Sequence, residues 1–103
     1  MTDNAREFFS GLEHRLDTEK LQGQTVAYRF DIAGAGSWRV GVYEGKVAVE
    51  EGREDADCVI AMKEEVFVRL LRGEQNPASA FMLGRIKVDG DMSHALKLKE
   101  LFF

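Results

Sequence analysis

Apolar residues at Phe8, Phe9, Leu12 and Leu16 recur at helical spacing, and Asn4 with Glu7 three positions on reads as a capping box. This pattern predicts a first helix near 5–16. From Thr25 the period changes to strict alternation, with Val26, Tyr28, Phe30 and Ile32 on one side and Thr25, Ala27, Arg29 and Asp31 on the other, which predicts a half-buried strand. Gly34 and Gly36 interrupt it. Trp38, Val40 and Val42 then start a second alternating run that stops at Glu44-Gly45, and Val47 with Val49 makes a third. After the polar stretch 50–57, Cys58, Ile60 and Met62 alternate with Val59 and Ala61, so the fourth strand is apolar on both faces and belongs in the sheet interior.

Val66, Phe67, Leu70 and Leu71 fall on one helical stripe that ends at Arg72-Gly73, which predicts a helix over 63–72. Asn76 caps and Pro77 opens a shorter helix carrying Ala80, Phe81 and Met82, closed by Gly84. Ile86 and Val88 supply a short fifth strand. Asp91 caps a last helix with Ala95, Leu96, Leu98 and Lys99, followed by an apolar end at 101–103. The order is helix, four strands, two helices, strand, helix. It reads as one α+β domain over 1–103, with helices gathered on one face of a mostly antiparallel, five-stranded sheet whose first three strands form a meander. The connection from fourth to fifth strand passes through two helices and is long enough to cross the sheet.

Length and composition narrow the function. The 103 residues, 45% hydrophobic and 31% charged with one proline, describe a single ordinary globular domain. A net charge of -4 argues against nucleic acid as a partner. One cysteine, Cys58, forms neither an internal disulfide nor a multi-cysteine metal site, which fits a reducing compartment. No apolar run reaches the ~18 residues of a membrane span. The polar N-terminus is unlike a signal peptide, and Leu101, Phe102 and Phe103 are unlike a peroxisomal address, so a cytoplasmic location is expected.

Candidate chemistry is sparse. Gly34-Ala35-Gly36 lacks the third glycine and the following helix of a dinucleotide fingerprint, and reads as a turn. His14 and His94 lie far apart among polar helix positions, and Cys58 sits on an apolar strand face where a thiol behaves as a small hydrophobe. The acidic pairs Glu50-Glu51, Glu54-Asp55 and Glu64-Glu65 point their members in different directions, which is wrong for acid and base work on one substrate. No catalytic residue, metal site or cofactor is expected. What remains is a set of large apolar side chains on the helices of the second half, suited to a core or to a ligand cavity.

The runs Phe30-Asp31-Ile32, Gly34-Ala35-Gly36-Ser37-Trp38, Gly45-Lys46-Val47 and Ala56-Asp57-Cys58 resemble the sterol carrier protein 2 domain family. A stronger signature follows in Gly73, Asn76-Pro77, Ala80-Phe81-Met82, Gly84-Arg85-Ile86-Lys87-Val88, Gly90-Asp91-Met92, Ala95 and Lys97-Leu98. The resemblance implies a short, stand-alone, bacterial-type member. It further implies a non-enzymatic domain that holds a fatty acid, acyl-CoA, sterol or phospholipid in an apolar tunnel between sheet and helices. Carried onto this chain, the lipid-binding residues are Phe67, Leu70, Leu71, Phe81, Met82, Ile86, Met92 and Leu96. The expected partners are a lipid or fatty acyl ligand and, transiently, a membrane surface, with the chain a monomer or weak homodimer. The alternative is a dimerisation or interaction module of a larger lipid-metabolic assembly, without a ligand of its own. A pocket of ~300 Å³ left empty would cost on the order of 7 kcal/mol, comparable with a whole domain's ~5 to 15 kcal/mol, so a tunnel is expected to be filled or partly collapsed.

Overall fold

The alternation in the first strand has a direct structural consequence: Val26, Tyr28, Phe30 and Ile32 all point into the core. In the computed structural model the described residues are 4–15, Gly23 and 25–90. The expected last helix from Asp91, with Met92, Leu96 and the apolar end, lies outside them. Five strands, β1 Thr25–Ala33, β2 Gly36–Tyr43, β3 Lys46–Glu51, β4 Cys58–Lys63 and β5 Ile86–Gly90, form one sheet in the order β3-β2-β1-β4-β5. The first three make the expected meander. Glu44 and Gly45, at φ 45° and 82°, turn β2 into β3, the left-handed pair that matches the twist of a tight hairpin.

The register stacks apolar side chains in rows. Phe30 faces Trp38 on one side and Ile60 on the other, and Ile60 in turn faces Val88. Tyr28 lies between Val40 and Cys58, and Met62 between Ile32 and Ile86. Only the β1–β4 pairing is parallel, so the sheet is mixed and β4 is interior.

One connection differs from expectation. β4 and β5 are antiparallel neighbours, so the helical segment between them returns beside its starting strand instead of crossing the sheet. Residues 52–57 make the crossing, from edge strand β3 past β2 and β1 to β4. An extended segment of that length reaches ~20 Å, and three strand spacings need only ~14 Å. It is tied to the face of the sheet turned away from the core: Arg39 Nε donates to the Asp55 carbonyl at 3.0 Å, and Arg53 pairs with Asp31 at 3.6 Å. At its end the Ala27 N–H donates to Asp57 Oδ2 at 2.8 Å.

The helices cover the opposite face. α1 Ala5–Ser10 and α2 Leu12–Arg15 occupy the place of the single helix expected over 5–16, divided at Gly11, the poorest helix former after proline. Asn4 Oδ1 accepts from the Glu7 N–H at 2.8 Å, as the capping pattern requires. Glu64 Oε2 also accepts from the Ala5 N–H at 3.2 Å, which places a carboxylate at the positive end of α1. Phe9 is the hub of the core. Its ring stacks on Trp38 at 4.8 Å and on Phe67 at 5.5 Å, and tilts against Phe30 at 5.2 Å. No helix among the described residues is long and apolar enough to cross a membrane.

Candidate functional site

Two helices follow β4 and lie over the β4–β5 half of the sheet. α3 Glu64–Leu71 turns Phe67 and Leu70 inward, and both are buried. α4 Pro77–Met82 is held at its start by Asn76, whose Oδ1 accepts from the N–H groups of Ala78 at 2.9 Å and Ser79 at 3.2 Å. The Arg85 N–H donates to the Ala80 carbonyl at 2.9 Å and leads the chain into β5.

The expected lipid-contacting residues fall into two groups. Phe67, Leu70 and Ile86 join the core cluster, and half-buried Leu71 packs against it. Phe81 and Met82 instead lie at the end of α4 with 44% and 84% of their surface exposed, followed by Leu83 at 66%. Met92 and Leu96 lie outside the described residues. Leu83 belongs to the apolar side chains that the sequence gathers on the later helices but not to the lipid-contacting set that the resemblance implies, although it continues the uninterrupted apolar run Phe81-Met82-Leu83 before Gly84.

The chemistry on offer is apolar. No charged side chain is buried among the described residues, and no group of three or more His, Cys, Asp or Glu stands where it could hold a metal ion. Cys58, the one cysteine of the chain, is a buried thiol. Burial, with the nearby Cys58 and Asp57, pushes the Tyr28 phenol up to about 12, far from any role in proton transfer at neutral pH. His14 is exposed on α2.

A separate groove of about 560 Å³ opens at the other side of α3, lined by Asp31, Ala33, Ala61, Met62, Lys63, Glu65, Val66, Arg69, Gly84, Arg85 and Lys87. It borders none of Phe67, Leu70, Leu71, Phe81, Met82 and Ile86. The sequence reading did not group its charged residues, because strand register together with the placement of α3 brings them to one groove.

A profile of the SCP-2 sterol transfer family matches residues 9–103. The chain belongs to this family. Hydroxysteroid dehydrogenase-like protein 2 of Xenopus tropicalis is 32% identical over 100 residues, covering 93% of this chain and 24% of that protein. Human sterol carrier protein 2 is 34% identical over 102 residues, 90% of this chain and 19% of that protein. The chain therefore spans a quarter or less of these relatives. The solution structure of the sterol carrier protein domain 2 of Helicoverpa armigera superposes with a TM-score of 0.73 at 34% identity, over 91% of this chain and 81% of that one. The five-stranded mixed sheet with its helices is thus the α+β fold of the family.

Proposed function

We propose that the protein binds an apolar lipid, such as a fatty acid, acyl-CoA, sterol or phospholipid, between the β4–β5 half of the sheet and the helices, and passes it on without chemical change. Family membership over nearly the whole chain carries this reading. The division of the apolar side chains supports it: Phe67, Leu70 and Ile86 are buried beneath the helices with Leu71 packed against them, and Phe81 and Met82 leave an exposed apolar surface at the end of α4. Met92 and Leu96 complete the set. Binding is driven by burial of apolar surface at ~25 cal/mol per Å², so salt has little effect on it. The test is saturable uptake of a fluorescent fatty acid by the parent, Met82→Trp and Leu71→Trp. Uptake falls in both variants while their melting temperatures stay near the parent's. Unchanged uptake, with Leu71→Trp destabilised by the ~1 to 3 kcal/mol of an overpacked core, contradicts the proposal.

A second reading is an interaction module, favoured by the small share of the longer relatives that this chain spans. In that case Phe81, Met82 and Leu83 are interface. A solution molecular mass measured alongside a lipid extraction separates the two: a dimer without lipid supports the module, and a monomer with lipid supports the carrier.

A further inference from the structure

On the sheet face turned away from the core, the register gathers cations that are distant in the chain. Asp31, Ala61 and Lys87 share one row, and Ala33 pairs with Lys63 in the next. Continuing the β4–β5 register by one residue sets Arg85 opposite Lys63. Directly opposed side chains on neighbouring strands start ~5 Å apart, and like charges so placed are destabilising. Lys63, Arg85 and Lys87 are all exposed, and α3 adds Arg69 to the same groove.

Little of this charge is balanced. Lys63 and Lys87 make no ion pair among the described residues, and Arg85 donates to the neutral amide oxygen of Gln75 at 3.0 Å. Asp31 already holds Arg29 at 3.1 Å and Arg53 at 3.6 Å. Among the described residues, Arg69 alone of the groove's cations has a carboxylate to itself, Glu65 at 2.9 Å. In a chain of net charge -4, this is a local reversal of sign around a cavity of about 560 Å³, a volume within the ~300 to 1,000 Å³ of small-molecule sites.

We propose that this groove binds the phosphate of a small molecule. Three neighbouring cations match a multiply charged anion better than a carboxylate, because a phosphate monoester carries about -1.5 to -2 charge and three strong acceptor oxygens, and Arg85 supplies the planar fork that engages them in pairs. The small Ala33 and Ala61 leave room above the strands, and Val66 adds an apolar wall for the rest of the molecule. The phosphate comes either from the headgroup of a carried lipid, which rests on the lipid-binding reading above, or from a soluble phosphate compound, which does not.

The test is calorimetric titration of the full chain, of Lys63→Gln/Lys87→Gln and of the control Lys46→Gln, which changes a lysine on β3 away from the groove. The probes are inorganic pyrophosphate, oleoyl lysophosphatidate and the uncharged monoolein. Pyrophosphate binds the parent and Lys46→Gln saturably, and the double variant about tenfold more weakly, as expected for two partly exposed charged hydrogen bonds. The double variant melts no lower than the parent, since it relieves a like-charge repulsion. A lysophosphatidate preference over monoolein that vanishes in the double variant identifies the headgroup as the source. Pyrophosphate binding without such a preference identifies a soluble phosphate, and pyrophosphate binding with no lipid binding leaves the groove standing while the lipid reading falls. If both lipids bind all three proteins equally and pyrophosphate binds none, the groove proposal is wrong and lipid binding stands. Capture by anionic vesicles without pyrophosphate binding also overturns it, in favour of a membrane surface.

Discussion

Replacing Phe67 by alanine distinguishes a closed core from an open wall at the centre of the proposed site. The ring is 1% exposed and meets Phe8 edge-on at 5.3 Å and Phe9 stacked at 5.5 Å, so it joins α3 to α1. Loss of a buried phenylalanine side chain removes ~1.5 to 3 kcal/mol of transfer free energy. A residual void of roughly 80 Å³, at ~24 cal/mol per Å³, adds about 2 kcal/mol. The total agrees with the ~3 to 5 kcal/mol typical of Phe→Ala in cores and is a large part of a domain's ~5 to 15 kcal/mol. For a domain this size each kcal/mol lowers the melting temperature by ~4 to 8 °C, so the expected fall is at least ~12 °C. The assay is thermal unfolding of delipidated protein followed by circular dichroism, with Met82→Ala as the exposed counterpart, expected within ~0.5 kcal/mol of the parent. A loss below ~1 kcal/mol for Phe67→Ala would mean that the ring borders open space and not a close-packed core.

Gly90 pairs with Cys58 across β4 and β5, and at its φ of 114° an added Cβ runs into the Asp57 carbonyl oxygen and lies 3.1 Å from Cys58 Cα. Gly90→Ala is expected to cost more than about 2 kcal/mol, read as a lower urea midpoint; an unchanged midpoint refutes the close approach. Burial raises the Asp31 carboxyl, but hydrogen bonds from Arg29 and Ser37 and the charges of Arg29 and Arg53 outweigh it and hold the group below its ordinary 3.8. With the folded value the lower, Asp31 stabilises the fold fully above the ordinary value, and this contribution is lost as pH falls through the folded value. Asp31→Asn is therefore less stable than the parent near pH 7, and the gap closes below about pH 4; a gap independent of pH refutes the assignment.

The elements legible in the sequence are those whose signal is local. Alternation from Val26 to Ile32 reveals which face of β1 is buried because a period of two admits one register against the core. Asn76-Pro77 announces α4 because cap and first turn are adjacent in the chain. The parallel pairing of β1 with β4 has no such marker, since it depends on the β2–β3 hairpin folding aside and on a short extended segment passing over the sheet. Helical spacing likewise shows that Phe67 and Phe81 belong to apolar faces, but not that one closes the core while the other stays at the surface. The cation cluster lay furthest from view: Lys63 and Lys87 stand singly in apolar strands and become neighbours only across the β4–β5 ladder.

The central claim, that this member of the SCP-2 sterol transfer family carries a lipid, is tested most directly by mass spectrometry of the purified full chain under native and then denaturing conditions. The expected result is a native mass above the polypeptide's by that of one lipid, with the excess lost and the lipid recovered on denaturation, or a one-to-one adduct after incubation with oleate. A native mass equal to the bare chain both before and after incubation would contradict it.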